Sequence, residues 1–217
     1  MDFSQLWDAG GAAIVLGGTL LATVLASGRR EMVAALGSIG QLGQKRFDYE
    51  KTRAEIAHDV EIMRHDGVLR GRTVHTSDSE IALVTDALIH DRSIRSLITA
   101  HEGFQQQRVR SREAALTPIR HAAEMAPVFG MAGTLFSLSQ MRLGEAADMQ
   151  LLASIAMAIL TTLYGLLLAH LVFNPLAQLL ERRMLAEESD RQRLINWLAI
   201  QLRESCPPSP VQMKKAG

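Results

Sequence analysis

Cysteine is almost absent from this chain: Cys206 stands alone in a proline-rich tail. A disulfide framework within the chain and a zinc site built from its own cysteines are therefore excluded. An excess of one charge is missing too. Lys+Arg and Asp+Glu each total 23, and a net charge of zero argues against binding nucleic acid by neutralising phosphates. There is no phosphate-cradling glycine loop, and no serine, cysteine or paired-carboxylate arrangement of the kind a catalytic site uses. The seven histidines form no HxxxH pair and no cluster at metal-ligand spacing, so they read as solvated surface residues and no metal is expected.

What the chain does have is three long apolar runs separated by polar sequence. The first, residues 9–27 (AGGAAIVLGGTLLATVLAS), has about the length that crosses a bilayer as a helix. Asp2 and Asp8 precede it and Arg29 and Arg30 follow, the reverse of a cleaved signal peptide. The arginines place the N-terminus, residues 1–8, outside and the following segment in the cytoplasm. Gly11, Gly18 and Ala22 share one face, where a neighbouring helix can approach closely.

Residues 28–121 are charged and hold no run of spanning length, so a helical cytoplasmic domain is expected there. Ser77 and Glu80 have capping-box spacing ahead of the periodic Ile81, Val84 and Leu88, and a second periodic set, Ile94, Leu97 and Ile98, follows a break near Asp91. Arg108, Arg110, Arg112 and Arg120 again mark this side as cytoplasmic. The second run covers residues 122–141, a short outer loop 142–150, and the third run 151–173. Beyond Asn174 and Pro175 the amphipathic pattern continues with Leu179, Leu180 and Leu185, predicting a cytoplasmic helix over 174–204. Residues 205–217, with three prolines and no periodicity, read as a disordered tail. The fold class predicted is an all-α membrane protein with three transmembrane helices and a helical cytoplasmic domain between the first and second. A soluble bundle is disfavoured, since three such runs are hard to bury in so small a chain.

In the second run Gly130, Thr134 and Ser137 share a helical face; in the third, Ala158, Thr162, Gly165 and Ala169 do. Two explanations fit these stripes. The hydroxyls can bond back to the preceding turn while the small residues let helices pack. Alternatively Thr134, Thr161 and Thr162 line a path and offer oxygen ligands to a cation or a proton-carrying water. No run has a carboxylate near its centre, although intramembrane proton relays usually use one. Glu124 lies near the inner end of the second run and His170 near the cytoplasmic end of the third, so a titrating group for ion flow would have to come from another chain.

At APVFGMAGTL (Ala126 to Leu135) and AILTTLYGLLLAHLVFNPLA (Ala158 to Ala177) the sequence resembles the MotA/TolQ/ExbB family of ion-channel subunits, most of all its MotA/PomA flagellar stator branch. DAGGAAIVLGGTLLATVLAS (Asp8 to Ser27) is similar to that branch's second spanning helix, and MRHDGVL (Met63 to Leu69) to its cytoplasmic R-x-x-G motif. The resemblance implies a homopentamer in a bacterial inner membrane, with the C-terminus cytoplasmic. It surrounds a dimer of a single-span MotB-like or ExbD-like partner that supplies the ion-binding aspartate, and the flow of H⁺ or Na⁺ does mechanical work. It also implies that Thr134, Thr161 and Thr162 are pore threonines, that Asp8 is an acidic residue at the outer mouth, and that Pro127 and Pro175 are the family's two prolines. Arg64 then matches a rotor-facing basic residue. The chain departs from the branch in lacking its first helix, in Arg72 where an acidic residue is usual, in Ser137 for glycine and in His170 for asparagine. Arg72 reverses the charge at a rotor contact and so opposes docking on a standard flagellar rotor. A non-conducting scaffold that keeps the hairpin for assembly is the competing expectation.

Overall fold

The computed structural model describes residues 9–43, 46–67, 74, 76–139, 147–203 and 205–206. Among them every regular element is helical. Seven α-helices are seen: α1 (Ala9–Ala26), α2 (Arg29–Gly40), α3 (Tyr49–Asp66), α4 (Ser79–Asp91), α5 (Ile94–Ser139), α6 (Ala147–Leu167) and α7 (Asn174–Gln201). A 3-10 turn (Gln41–Gly43) follows α2, and a π-helical segment (Leu168–Phe173) joins α6 to α7 without a break. The chain divides into two compact units, one within Met1–Gly43 and Ser111–Arg182, the other within Gln44–Arg110 and Arg183–Gly217.

The second unit is built like a water-soluble bundle. Ile56, Val60 and Met63 of α3, Ile81, Val84 and Leu88 of α4, Leu97 of α5, and Leu194, Ile195, Leu198 and Leu202 at the end of the chain's last helix form one buried cluster. At roughly 1.5–3 kcal/mol for each large aliphatic side chain taken from water, this core suffices to hold the four segments together. Phe47 and Tyr49 lie under Arg191 and Arg193 of α7, with guanidinium-to-ring distances of 4.3 and 4.7 Å, and Arg46 pairs with Asp190 at 3.1 Å. The segment entering α3 is thereby strapped along α7 by cation–π and ionic contacts.

Local signals explain most boundaries here, with one correction. The cap of α4 is Asp78, whose carboxylate accepts from the backbone N–H of Glu80 and Ile81 at 3.0 and 3.1 Å. Ser77, expected to cap, instead donates its hydroxyl and backbone N–H to Glu55 of α3. Those bonds, the backbone one foremost, hold the Glu55 carboxyl below its usual range. An aspartate adjacent to the helix start wins because its carboxylate reaches two orphan N–H groups at once and favours the positive end of the dipole. Arg92 then takes a left-handed conformation (φ 55°) and stops α4, the break expected near Asp91. Of the next periodic set, Leu97 is buried but Ile98 is exposed.

The first unit inverts the usual pattern. Its buried positions are mostly small or hydroxylic: Thr19 and Thr23 of α1 and Ser27 just beyond it, Ala122, Ala123, Ala126 and Ser137 of α5, Thr161 of α6, and Ala169. Its exposed positions carry Leu, Ile, Val, Met and Phe, including Leu25, Leu135, Leu152 and Leu171. Only towards Ala35, Leu116, Ile119, Ala177 and Leu180 does a conventional apolar cluster return. Among the described residues one helix, Leu151–Gln201, is long and apolar enough to cross a membrane, while Gly10–Ala26 is a shorter apolar helix. The apolar residues of the expected second span are not a separate helix, for they continue the charged first half of the 46-residue α5.

Prolines do not interrupt these helices. Pro118 and Pro127 lie inside α5. Pro175 has no N–H to give to the residue four back, and its ring crowds that carbonyl. The π-helical turn directly before it supplies the wider spacing that accommodates both effects.

Candidate ion-pathway helices

In the first unit α5 and α6 cross at near backbone contact. A Cβ added to Gly165 would lie 2.6 Å from the Ala126 carbonyl oxygen, 3.0 Å from Cα of Gly130 and 3.2 Å from Cα of Pro127. One added to Gly130 would meet the Thr161 carbonyl oxygen at 3.1 Å and Cα of Thr162 at 3.4 Å, and one added to Gly133 would meet Cβ of Thr161 at 2.9 Å. At Gly165 and Gly130 the obstacle is backbone, which cannot turn aside, and at Gly133 it is the Thr161 side chain from its branched Cβ outward. α1 joins this pair by packing along α6. Its Gly18 abuts the Phe129 ring of α5, where an added Cβ would lie 2.2 Å away.

The threonines expected to line a path occupy different environments. Thr161 is fully buried, 0% exposed, against Gly133, while Thr134 and Thr162 are half-buried on the flanks of the crossing. Each hydroxyl donates back along its own helix: Thr134 to the Met131 carbonyl at 2.6 Å, and Thr161 and Thr162 to the same Ala158 carbonyl at 3.0 and 3.2 Å. A hydroxyl that donates inward keeps its oxygen lone pairs free to accept from water or to ligate a cation. Gly130 brings Thr162 beside α5, and Thr134 lies one turn further along α5.

The buried stripes are rotated from those expected. On α5 the line runs Ala126, Gly130, Gly133, Ser137, with Thr134 off it; on α6 it runs Thr161 and Gly165 and continues to Ala169 of the π-helical segment, with Thr162 off it. The same holds on α1, where Gly11, Val15, Thr19, Thr23 and Ser27 form the buried line and Gly18 and Ala22 are only half-buried. Thr19 and Thr23 bond back to Val15 and Thr19 carbonyls at 2.6 and 2.7 Å. Sequence reasoning missed this hydroxyl row, which the i, i+4 spacing of Thr19, Thr23 and Ser27 announces.

Ser139 and the residues back to Ala126, and likewise Leu151 to Phe173, include no Asp, Glu, Lys or Arg. His170 lies in the π-helical segment, exposed, where its Nδ1 accepts from the Asn174 amide at 3.3 Å. Glu124 is exposed and 3.7 Å from His121. Arg64 belongs to the second unit, exposed on α3 and 3.9 Å from Glu61. Asp8 and Arg72, and most of the loop 142–150, lie outside the described residues.

Two of the arginines read as a topological signal, Arg108 and Arg120, have carboxylate partners. Arg120 pairs with Glu181 at 3.0 Å in the first unit. In the second, Arg108 holds Glu188 of α7 at 2.6 Å and also Glu80 of α4, while Arg191 binds Asp78 at 2.8 Å and Glu80 at 3.2 Å. Burial, the largest influence on Glu80 and on Glu188, raises both carboxyls, but the surrounding donors and the charges of Arg108 and Arg191 outweigh it and hold both below the usual range. The expectation that all histidines are solvated fails here. His101 is 2% exposed, between Glu80 and Gln192.

The sequence matches the MotA/TolQ/ExbB proton channel family over residues 78–193, just over half of the chain. It is 37% identical over 114 residues to the uncharacterized protein YtxD of Bacillus subtilis (strain 168), covering 46% of this chain and 42% of that protein. To the chemotaxis protein PomA of Vibrio alginolyticus it is 28% identical over 200 residues, covering 87% of this chain and 75% of that one. The chain thus spans less than half the length of the first of these relatives and three quarters of the second. Its fold is similar to that in the structure of the flagellar MotAB stator complex from Bacillus subtilis, with a TM-score of 0.82 at 18% identity over 93% of this chain and 81% of that one.

Proposed function

The chain belongs to the MotA/TolQ/ExbB proton channel family, and on that premise we propose that it is a stator-like ion-channel subunit that converts ion flow into mechanical work. The observation that carries this is the inverted first unit: small and hydroxylic residues inside, large aliphatic ones outside. In water that arrangement exposes an apolar surface far beyond what a soluble protein tolerates; in lipid it is the normal packing solution. Three spans follow, within residues 9–27, 122–141 and 151–173, with the N-terminus outside, the C-terminus cytoplasmic and the protein in a bacterial inner membrane.

The pathway we assign uses Thr134, Thr161 and Thr162, with Asp8 at the outer mouth. The half-exposed Thr134 and Thr162 present hydroxyl oxygens where a neighbouring helix would complete the wall, while Thr161 sets the close crossing. Because neither run of the hairpin has a carboxylate near its centre, the titrating aspartate comes from a MotB-like or ExbD-like single-span dimer enclosed by a homopentamer of this chain, and the ion is H⁺ or Na⁺. Pro127 and Pro175, at the crossing and after the π-helical turn, are where the helices would bend during each cycle. Arg64 and Arg72 would face the driven component.

Ion flux into cells or vesicles containing the chain and its co-expressed partner tests this reading. A lost hydroxyl ligand is worth about 1 kcal/mol, so Thr162→Val should lower flux about fivefold to tenfold. The back-bonded hydroxyls favour a second reading, a non-conducting scaffold. Equal and negligible flux from wild type and Thr162→Val, with assembly intact, would establish that one instead.

A further inference from the structure

The helix α2 turns one side to its own unit and the other outward. Inward, Ala35 is 3% exposed and belongs to the apolar cluster of Leu116, Ile119, Ala177 and Leu180. Outward, Val33 is 71% exposed and Leu36 64%. With Arg29 and Gly40 these two recur at i, i+4, i+7 and i+11, a single stripe along the helix. Arg30 and Gly37, both exposed, border it.

Charge on α2 is arranged for a partner of one sign. Its carboxylate, Glu31, bends back to accept from the Gly28 backbone N–H at 3.1 Å. Arg29 and Arg30 are exposed and, among the described residues, pair with no acid. The outward stripe therefore begins in two guanidinium groups and continues in aliphatic carbon. The surface beside it has the same double character. α1 ends at Ala26, and its exposed Leu21, Val24 and Leu25 belong to the aliphatic exterior assigned above to lipid. Between the helices Ser27 and the extended Gly28 (φ −70°, ψ 156°) interrupt the helix, so α2 does not prolong α1. With 12 residues it is about 18 Å long, too short to cross a hydrocarbon core of about 30 Å.

We propose that α2 is an interfacial anchor for anionic phospholipid: it lies at the cytoplasmic boundary of the bilayer, with Val33 and Leu36 entering the acyl region and Arg29 and Arg30 reaching the negatively charged headgroups. The proposal rests on the membrane reading of the first unit and takes α2 out of the aqueous domain expected for residues 28–121. A helix with an aliphatic stripe and basic side chains is the kind that settles in this layer, and arginine is long enough to keep its charge among the headgroups while its stem lies against carbon. The aliphatic residues alone would accept any lipid. Selectivity comes from the arginines, since each basic side chain close to an anionic leaflet favours binding by about fivefold. Anchored in this way, α2 fixes the level at which α1 leaves the membrane.

The test labels the full-length chain. In a Cys206→Ser background, which removes the one native cysteine, Leu36→Cys carries a nitroxide. Its collisions with oxygen, which concentrates in lipid, and with a water-soluble nickel chelate are compared in phosphatidylcholine vesicles with and without phosphatidylglycerol. The label should favour oxygen, and phosphatidylglycerol should move it further toward lipid. Arg29→Gln combined with Arg30→Gln should cut that preference for the anionic vesicle roughly 25-fold, about fivefold for each charge. Arg29→Lys with Arg30→Lys should keep it, and raised salt should weaken it. A label open to the chelate in both vesicles overturns the anchor, as does immersion that neither phosphatidylglycerol nor the arginines alter. A label shielded from both reagents and broadened by a second nitroxide also overturns it, by placing a second copy of the chain on the stripe. No readout requires conduction. An immersed label in a protein that passes no ions removes the channel reading and leaves the anchor, whereas a label in water with ion flow intact does the reverse.

Discussion

The crossing of α5 and α6 makes a quantitative demand on Gly165. A methyl group there would sit 2.6 Å from the Ala126 carbonyl oxygen, and ordinary contact begins at 3.4 Å, so the two helices must separate by about 0.8 Å. Backbone forms the whole obstacle, and no rotamer change relieves it. Overpacking of this kind costs about 1–3 kcal/mol. Replacing a helical glycine by alanine also returns roughly 0.5–1 kcal/mol through lower unfolded-state entropy, which confounds any single measurement. Gly103→Ala removes the confusion. That residue lies in the same helix α5, and an added Cβ there has nothing within 4 Å, so it receives the entropic gain without the clash. The difference between the two variants then isolates the clash, and in a chain of about this size it amounts to a gap of roughly 5 °C in Tm, with Gly165→Ala the lower. Thermal unfolding in one detergent, followed by circular dichroism for both variants and wild type, is sufficient. If Gly165→Ala melts with or above Gly103→Ala, the helices are not in backbone contact and the assignment of Thr161 and Thr162 beside Gly130 and Gly133 falls with it.

Arg191 is 11% exposed and faces Asp78, Glu80 and Glu187, so Arg191→Leu should cost about 3 kcal/mol by leaving buried carboxylates uncompensated, whereas Arg46→Ala, which breaks the exposed pair with Asp190, should cost less than about 1 kcal/mol; chemical denaturation of both variants measures the contrast. Acid should weaken the second unit: Glu80 and Glu188 are held below the ordinary carboxylate value of 4.5, so their contribution is complete above that value and is lost as pH falls through their folded-state values. A pH titration of unfolding followed by Trp197 fluorescence should show this acid limb, and Glu80→Gln should make it shallower; an unchanged limb would mean that Glu80 carries none of it.

The parts of this molecule that could be read from sequence share a physical cause, as do those that could not. Ile81, Val84 and Leu88 were placed correctly because in water only one face of a helix is apolar, and all three are fully buried. His101 occupies that same kind of stripe, four residues after the buried Leu97 and three before Phe104, which packs on the core. Its spacing marked it as an inward position; treating histidine as a surface type hid it. Asp78 displaced Ser77 as a cap because the two adjacent residues carry nearly equal cap signals, and a tertiary partner, Glu55, took the serine.

In the first unit the difficulty is of another kind. Where lipid replaces water, buried and outer faces are both apolar, so periodicity locates a helix without orienting it, and size becomes the only guide. Size was misread by one position on each helix. Thr134 and Thr162 were grouped with Gly130 and Gly165 as one stripe, yet the structure turns Gly133 and Thr161 inward instead and leaves those two threonines on the flanks. That rotation matters to mechanism. A threonine in the crossing sets the helix spacing, whereas one on the flank also faces outward. The two threonines that the crossing leaves half-exposed are therefore the ones best placed to meet the neighbouring helix that the proposed pathway requires.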